Sequence, residues 1–251
     1  MRQGITDAVK HLLIINVIVF IGMLTIGSNN EPFMSWFALH FPKNELFQPW
    51  QILTHMFMHG NLMHILFNMF ALWMFGTAVE QIFGWKKFII FYLLCGFGAA
   101  LIQIAFLYFQ FNSGLQTLVE SGISQLDIFN LLAEGKYNTA WQSILGDDFL
   151  SFISAYNSTM VGASGAIFGV LVAFGMLFPE SKLMLIFLPI PIKAKYFISG
   201  IIALDLFSAI TGNSIFSPSN TAYMAHVGGA LTGFLLMYFW KKNESDKYRW
   251  N

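Results

Sequence analysis

Six apolar stretches, each close to the roughly 20 residues that a helix needs to cross a bilayer, set the limits on what this chain can fold into. They run over about 10–28, 60–79, 88–110, 160–178, 194–211 and 222–240 of its 251 residues. With 56% hydrophobic and only 10% charged residues, the chain has too little polar surface to clothe a soluble domain. It reads as an all-α polytopic membrane protein, a single membrane domain of six helices. Zero net charge leaves no basic footprint for nucleic acid. The lone cysteine, Cys95, lies within an apolar run, where it is a packing residue without a disulfide partner.

Six spans place both termini on one side. Of the 13 Lys and Arg residues, 11 fall at the N-terminus, at Lys86 and Lys87, between Lys182 and Lys195, and from Lys241 to Arg249; only Lys43 and Lys136 fall in the opposite loops. The excess of cations predicts that both ends are cytoplasmic. The first span has no small-residue cleavage site and reads as an uncleaved anchor, which fits a bacterial inner membrane. Outer residues 29–59 are aromatic and amphipathic, as in an interfacial segment. Residues 111–159 scatter Glu120, Asp127, Glu134, Asp147 and Asp148 among apolar positions and predict short surface helices.

Polar groups inside a bilayer are costly and mark function by default. Span four begins with "VGASGAIFGV", which sets Ser164 between Gly162 and Gly165. Spans two and six run in the same direction as span four. Near their outer ends they carry "HGNLMHILFN", with His59, His64 and Asn68, and "MAHVGGALTG", with His226. Three helices distant in sequence thus bring polar groups to one depth. Taken singly, each has a plainer reading: serine packs small in membrane helices, and Gly165 with Gly169, like Gly229 with Gly233, forms a small-xxx-small pair for close packing. Together they suggest chemistry. Serine needs an adjacent base, and His226 can supply it. Ser164 opens a helix, where N–H groups are unpaired, and the four-residue spacing of His64 and Asn68 points two further donors from one face. Asp205, in the outer part of span five, is either a proton-relay acid or a cap on a polar pocket. His40 and His55 read as interfacial. "GASG" is not the nucleophile elbow of soluble hydrolases, since no strand precedes it and the final glycine is missing.

In this order on these helices, "HGNLMHILFN", "GASG" and "AHVGG" resemble the rhomboid family of intramembrane serine proteases, over about residues 10–240. The resemblance implies that Ser164 is the nucleophile and His226 the general base. It makes His64, Asn68 and the Ser164 amide oxyanion donors, with His59 and Gly162 shaping the pocket and Phe168 stacking on the histidine. It also implies that the first outer loop lies partly in the outer leaflet, that span five with loop 212–223 is a movable gate and cap, and that the substrates are single-span membrane proteins. No cofactor and no metal enter this chemistry. Two positions depart from the usual pattern: Trp50-Gln51 stands where many members carry Trp-Arg, and Phe168 where tyrosine is frequent. A catalytically silent rhomboid-like client binder is the nearest alternative, but it would lack the serine or the histidine. A transporter would favour paired acids and repeat symmetry, which are not evident.

Overall fold

A computed structural model describes residues 4–26, 31–185, 188–211 and 222–247. The long helices are α1 (Asp7–Thr25), the α4–α5 pair within Leu62–Phe83, α6 (Trp85–Glu120), α10 (Ser164–Leu177), α11 (Ala194–Thr211) and α12 (Tyr223–Lys247). The shorter helices are α2 (Glu31–Phe37) and α3 (Gln51–Thr54) in the first outer loop. Between α6 and α10 lie α7 (Gln125–Ala133), α8 (Ala140–Leu145) and α9 (Asp148–Tyr156). Four helices, α1, Leu62–Phe83, α6 and α11, are long and apolar enough to cross a membrane by length and composition. With α10 and α12 they form an all-α polytopic bundle.

Local signals explain the element ends. Asn61 caps α4 (Leu62–Ala71), its side chain accepting the His64 N–H at 2.8 Å. A π-turn over Leu72–Gly76 joins α4 to α5 (Thr77–Phe83). Gly84, at φ 73°, then turns the chain straight into α6. At the far end of this pair from Asn61, the buried Glu80 carboxylate accepts the amides of Ala8 and Val9, both at 2.9 Å, and so caps α1 from another helix.

Helix α10 is the centre of the bundle. It buries every residue from Gly165 to Phe174, and its apolar surface runs all the way round, as a fully enclosed helix requires. Peripheral helices show the opposite pattern: Ile18, Leu101 and Ile210 are exposed, as befits a lipid-facing surface. Among the four long apolar helices α11 is the least enclosed, burying only Ala194, Ile198, Asp205 and Ser208.

Two span boundaries differ from the sequence expectation. Span four starts at Ser164 instead of residue 160, because Thr159–Met160 forms β2, which pairs antiparallel with β1 (Leu39–His40). The 14-residue α10 is therefore about 21 Å long, short of the roughly 30 Å hydrocarbon core. Span three does not stop near residue 110. Helix α6 continues to Glu120, a length of about 54 Å, since Phe111, Gly114, Leu115 and Leu118 are buried beneath α7–α9 in a second apolar core. A side chain at Gly114 would press on the Phe152 ring, so α6 and α9 approach closely there. The outer insertion thus has helices, as its pattern predicts, and it also braces the first loop: Asn44 donates to the Tyr156 carbonyl at 3.0 Å and Lys43 to Asn112 at 3.3 Å. At the other end of α10, a hairpin of β3 (Lys182–Leu185) and β4 (Leu188–Lys193) joins it to α11.

Candidate active site

Ser164 is the first residue of α10, and the Ile167 N–H is the first to donate back along it, to Ala163 at 3.0 Å. The amides of Ser164, Gly165 and Ala166 therefore lie ahead of the helical ladder, at its positive end. Gly162 makes this abrupt start possible. Its φ of 126° is a conformation that side chains resist, and a Cβ there would sit 2.8 Å from His64 Nε2.

His226 lies in the first turn of α12. Its Nε2 is 2.8 Å from Ser164 Oγ, and its ring stacks on Phe168 at a centroid distance of 4.1 Å and an angle of 11°. On the other side of the ring, Nδ1 is 2.7 Å from Asp205 Oδ2. His226 and Asp205 are both buried, whereas Ser164 is half-buried and open to a reactant.

The glycines set the distance between these helices. A Cβ on Gly229 would overlap the Gly165 carbonyl oxygen, and one on Gly233 would lie 2.7 Å from Gly169 Cα. Gly165 and Gly169 turn their open faces toward α6 as well, where added carbons would overlap Ala99 and Cys95. Bare backbone thus meets bare backbone between α10 and α12, while on the α6 side only the small side chains of Ala99 and Cys95 intervene.

On α4, half-buried His64 accepts the Gly60 N–H on Nδ1 at 3.5 Å, the outer limit of a hydrogen bond, which leaves Nε2 to carry its proton toward Gly162. Asn68, one turn below, donates to the His64 carbonyl at 2.8 Å and keeps its second amide hydrogen. His59 packs edge-on against the His64 ring at 5.0 Å. Burial, reinforced by His64, pushes His59 down to about 3, so it is neutral, and neither ring nitrogen meets a hydrogen-bond partner among the described residues. The site thus gathers Ser164, His226, Phe168, Gly162, His64, Asn68 and His59 in one place, with no cluster of metal-ligating side chains among the described residues. The loop 212–223 lies almost wholly outside the described residues.

Two residues carry more than the sequence reading gave them. Asp205, in the outer part of span five, lies at the depth of His226 and faces it across the α11–α12 contact, a pairing that depth alone does not reveal. Gln51 looks like a surface residue but is fully buried. It accepts the amides of His40 and Gln48 at 3.3 and 3.0 Å, and donates to the carbonyls of Ser35 and Leu46 at 3.0 and 2.9 Å. Where an arginine would bring a charge, Gln51 ties the first outer loop together by four neutral bonds. His40 and His55, read as interfacial, are buried within the protein, and each donates to a nearby backbone carbonyl, Met34 and Gln51 respectively.

The Rhomboid domain profile matches residues 46–126 and 136–243. Among curated proteins, the Rhomboid protease GlpG of Salmonella paratyphi A and that of Salmonella typhi are each 38% identical over 90 residues, covering 36% of this chain and 32% of theirs. The GlpG of Salmonella newport matches to the same extent. The matched segment spans about a third of the length of these relatives. Because the domain profile covers most of the chain, including α4–α6 and α10–α12, the chain belongs to the rhomboid family.

Proposed function

We propose that this integral membrane protein is a serine endopeptidase that cleaves peptide bonds in or near the transmembrane segments of single-span membrane proteins. The observation that carries this reading is the 2.8 Å approach of Ser164 Oγ to His226 Nε2 at the open start of α10. As Ser164 attacks a scissile carbonyl, His226 takes its proton, and the carbonyl oxygen gains negative charge. That oxyanion meets the Ser164 amide, with His64 Nε2–H and the free Asn68 hydrogen as further donors. Collapse breaks the C–N bond, and the departing amine takes the proton from His226. Water then attacks the acyl ester, giving a proton to His226; collapse breaks the ester C–O bond, and His226 returns that proton to Ser164 Oγ as the acid departs. None of these steps requires a metal or cofactor.

The cation pattern supports cytoplasmic termini and an outward-facing site in a bacterial inner membrane. The sparse burial of α11 supports lateral entry of the substrate beside it. The test is cleavage of model single-span substrates by detergent-purified protein. Ser164→Ala and His226→Ala should each abolish it while the protein still folds, and the double variant should be little worse than either. Absence of cleavage and of fluorophosphonate labelling in the wild type would leave a catalytically silent client binder instead.

A further inference from the structure

Two features of His226 need fixing before it can serve Ser164. The first is the plane of the ring, which the Phe168 stack holds. The second is the position of its proton: a neutral imidazole carries one hydrogen, on either nitrogen, and only a ring with a bare Nε2 can accept from Ser164. Stacking does not choose between them, and it leaves the ring free to rotate within its own plane. Asp205 supplies what is missing. Its carboxylate oxygen, an acceptor only, lies 2.7 Å from Nδ1, so the proton belongs on Nδ1 and the Nε2 lone pair faces Ser164 Oγ at 2.8 Å.

We infer that Asp205 is a positioning residue that completes a Ser164–His226–Asp205 unit, setting the tautomer and in-plane orientation of the base and pairing with the imidazolium formed during attack. This deepens the serine-hydrolase reading and rests on it. Asp205 lies 21 residues before His226, on a different helix. The pair is enclosed, at 8% and 11% side-chain exposure, so water does not compete for Nδ1. The other buried positions of α11 are Ala194, Ile198 and Ser208, small or apolar groups that pack the helix without a carboxylate. Packing alone does not account for an acid here. A pocket cap would be served as well by asparagine, which has the same shape and also bonds Nδ1, but which presents a donor and so drives the proton to Nε2.

Asp205→Asn therefore separates the two roles. If Asp205 positions the base, the variant should keep its melting temperature and a KM within about twofold, while kcat and fluorophosphonate labelling of Ser164 fall by roughly 10³- to 10⁴-fold. Asparagine should be at least as damaging as alanine. Nitrogen-15 spectra of labelled histidine, with His226 assigned by its loss in His226→Ala, should show the proton on Nδ1 in the wild type and on Nε2 in Asp205→Asn. A structural cap predicts the reverse order, with Asp205→Asn close to wild type and Asp205→Ala unstable, and that order overturns the inference. So does a wild-type His226 protonated on Nε2, a result readable even if both variants unfold. A wild type with its proton on Nδ1 that neither labels nor cleaves would keep the pairing and refute the hydrolase reading instead.

Discussion

The closest approach in the bundle makes the sharpest demand. Placing a methyl at Gly229 is the smallest change that tests whether bare backbone at the α10–α12 contact is what brings Ser164 within reach of His226. Contact with an added Cβ becomes ordinary only beyond 3.4 Å, so Gly233→Ala, whose new carbon would sit 2.7 Å from Gly169 Cα, needs an opening of several tenths of an ångström. Gly229 is tighter, because its Cβ would overlap the Gly165 carbonyl, which is backbone and cannot rotate aside. The helices must part by roughly 1 Å or more one turn from His226, which carries the 2.8 Å Ser164–His226 distance past the limit of about 3.2 Å for proton transfer. Misplacement of that size costs about 100-fold in rate, and overpacking costs about 1–3 kcal/mol in stability. Gly229→Ala should therefore lose at least 100-fold in cleavage of a single-span substrate, with fluorophosphonate labelling falling in parallel, and Gly229→Val should lose more. Gly200→Ala on α11 is the control, since a Cβ there meets nothing within 4 Å; it should cleave like wild type. A Gly229→Ala protein that cleaves and labels normally would show that the helix spacing is not set by these glycines.

Three further outcomes can be checked. Asn68→Ala should lower turnover by roughly 100- to 1,000-fold with little change in KM, measured under saturating substrate; a change in KM alone would make Asn68 a binding residue. Gln51→Ala removes four hydrogen bonds at a buried point and should destabilise the protein by about 2–4 kcal/mol, read as a lower melting temperature in detergent, whereas an unchanged melt would mean that the loop holds without them. Burial pushes His55 down to about 4, so an unfolded chain takes up a proton there that the folded chain refuses. Its neutral form destabilises nothing above pH 6.5, and stability should fall by up to about 3 kcal/mol as pH drops from 6.5 toward 4. That acid-side loss, followed by thermal unfolding, should shrink in His55→Gln.

Apolar length made the bundle legible, because lipid-facing helices such as α1 and α11 announce themselves by composition alone. The same measure misplaced the start of α10: Met160 and Val161 are as apolar as any helix residue, but the pairing of Thr159–Met160 with Leu39–His40 and the turn at Gly162 delay the helix to Ser164. The extension of α6 was hidden for the opposite reason. Its segment from Phe111 to Leu118 is amphipathic and buried against protein, α9 above all, so it does not read as a span. At the site, comparing depths along spans two, four and six was enough to bring Ser164, His226, His64 and Asn68 into one candidate group. It left Asp205 ambiguous because a single acid on a helix says nothing about which neighbour it faces. Gln51 stands out in the sequence only as a departure from the Trp-Arg pair, and its role stays hidden because its four partners are backbone groups whose positions exist only once the loop has folded.

The thin attachment of α11 gives the molecule an interlock. A chain emerging during membrane insertion acquires α10 before α11 and α12, so the nucleophile is in place before its partners. Only when the last two helices have docked do Asp205 and His226 meet each other and Ser164, each of the three delivered by a different helix. Because α11 commits just four of its eighteen residues to the interior, it is also the helix whose docking is most easily undone. A half-assembled or loosened protein then holds the three groups apart, and the proposed chemistry waits on completion of the fold.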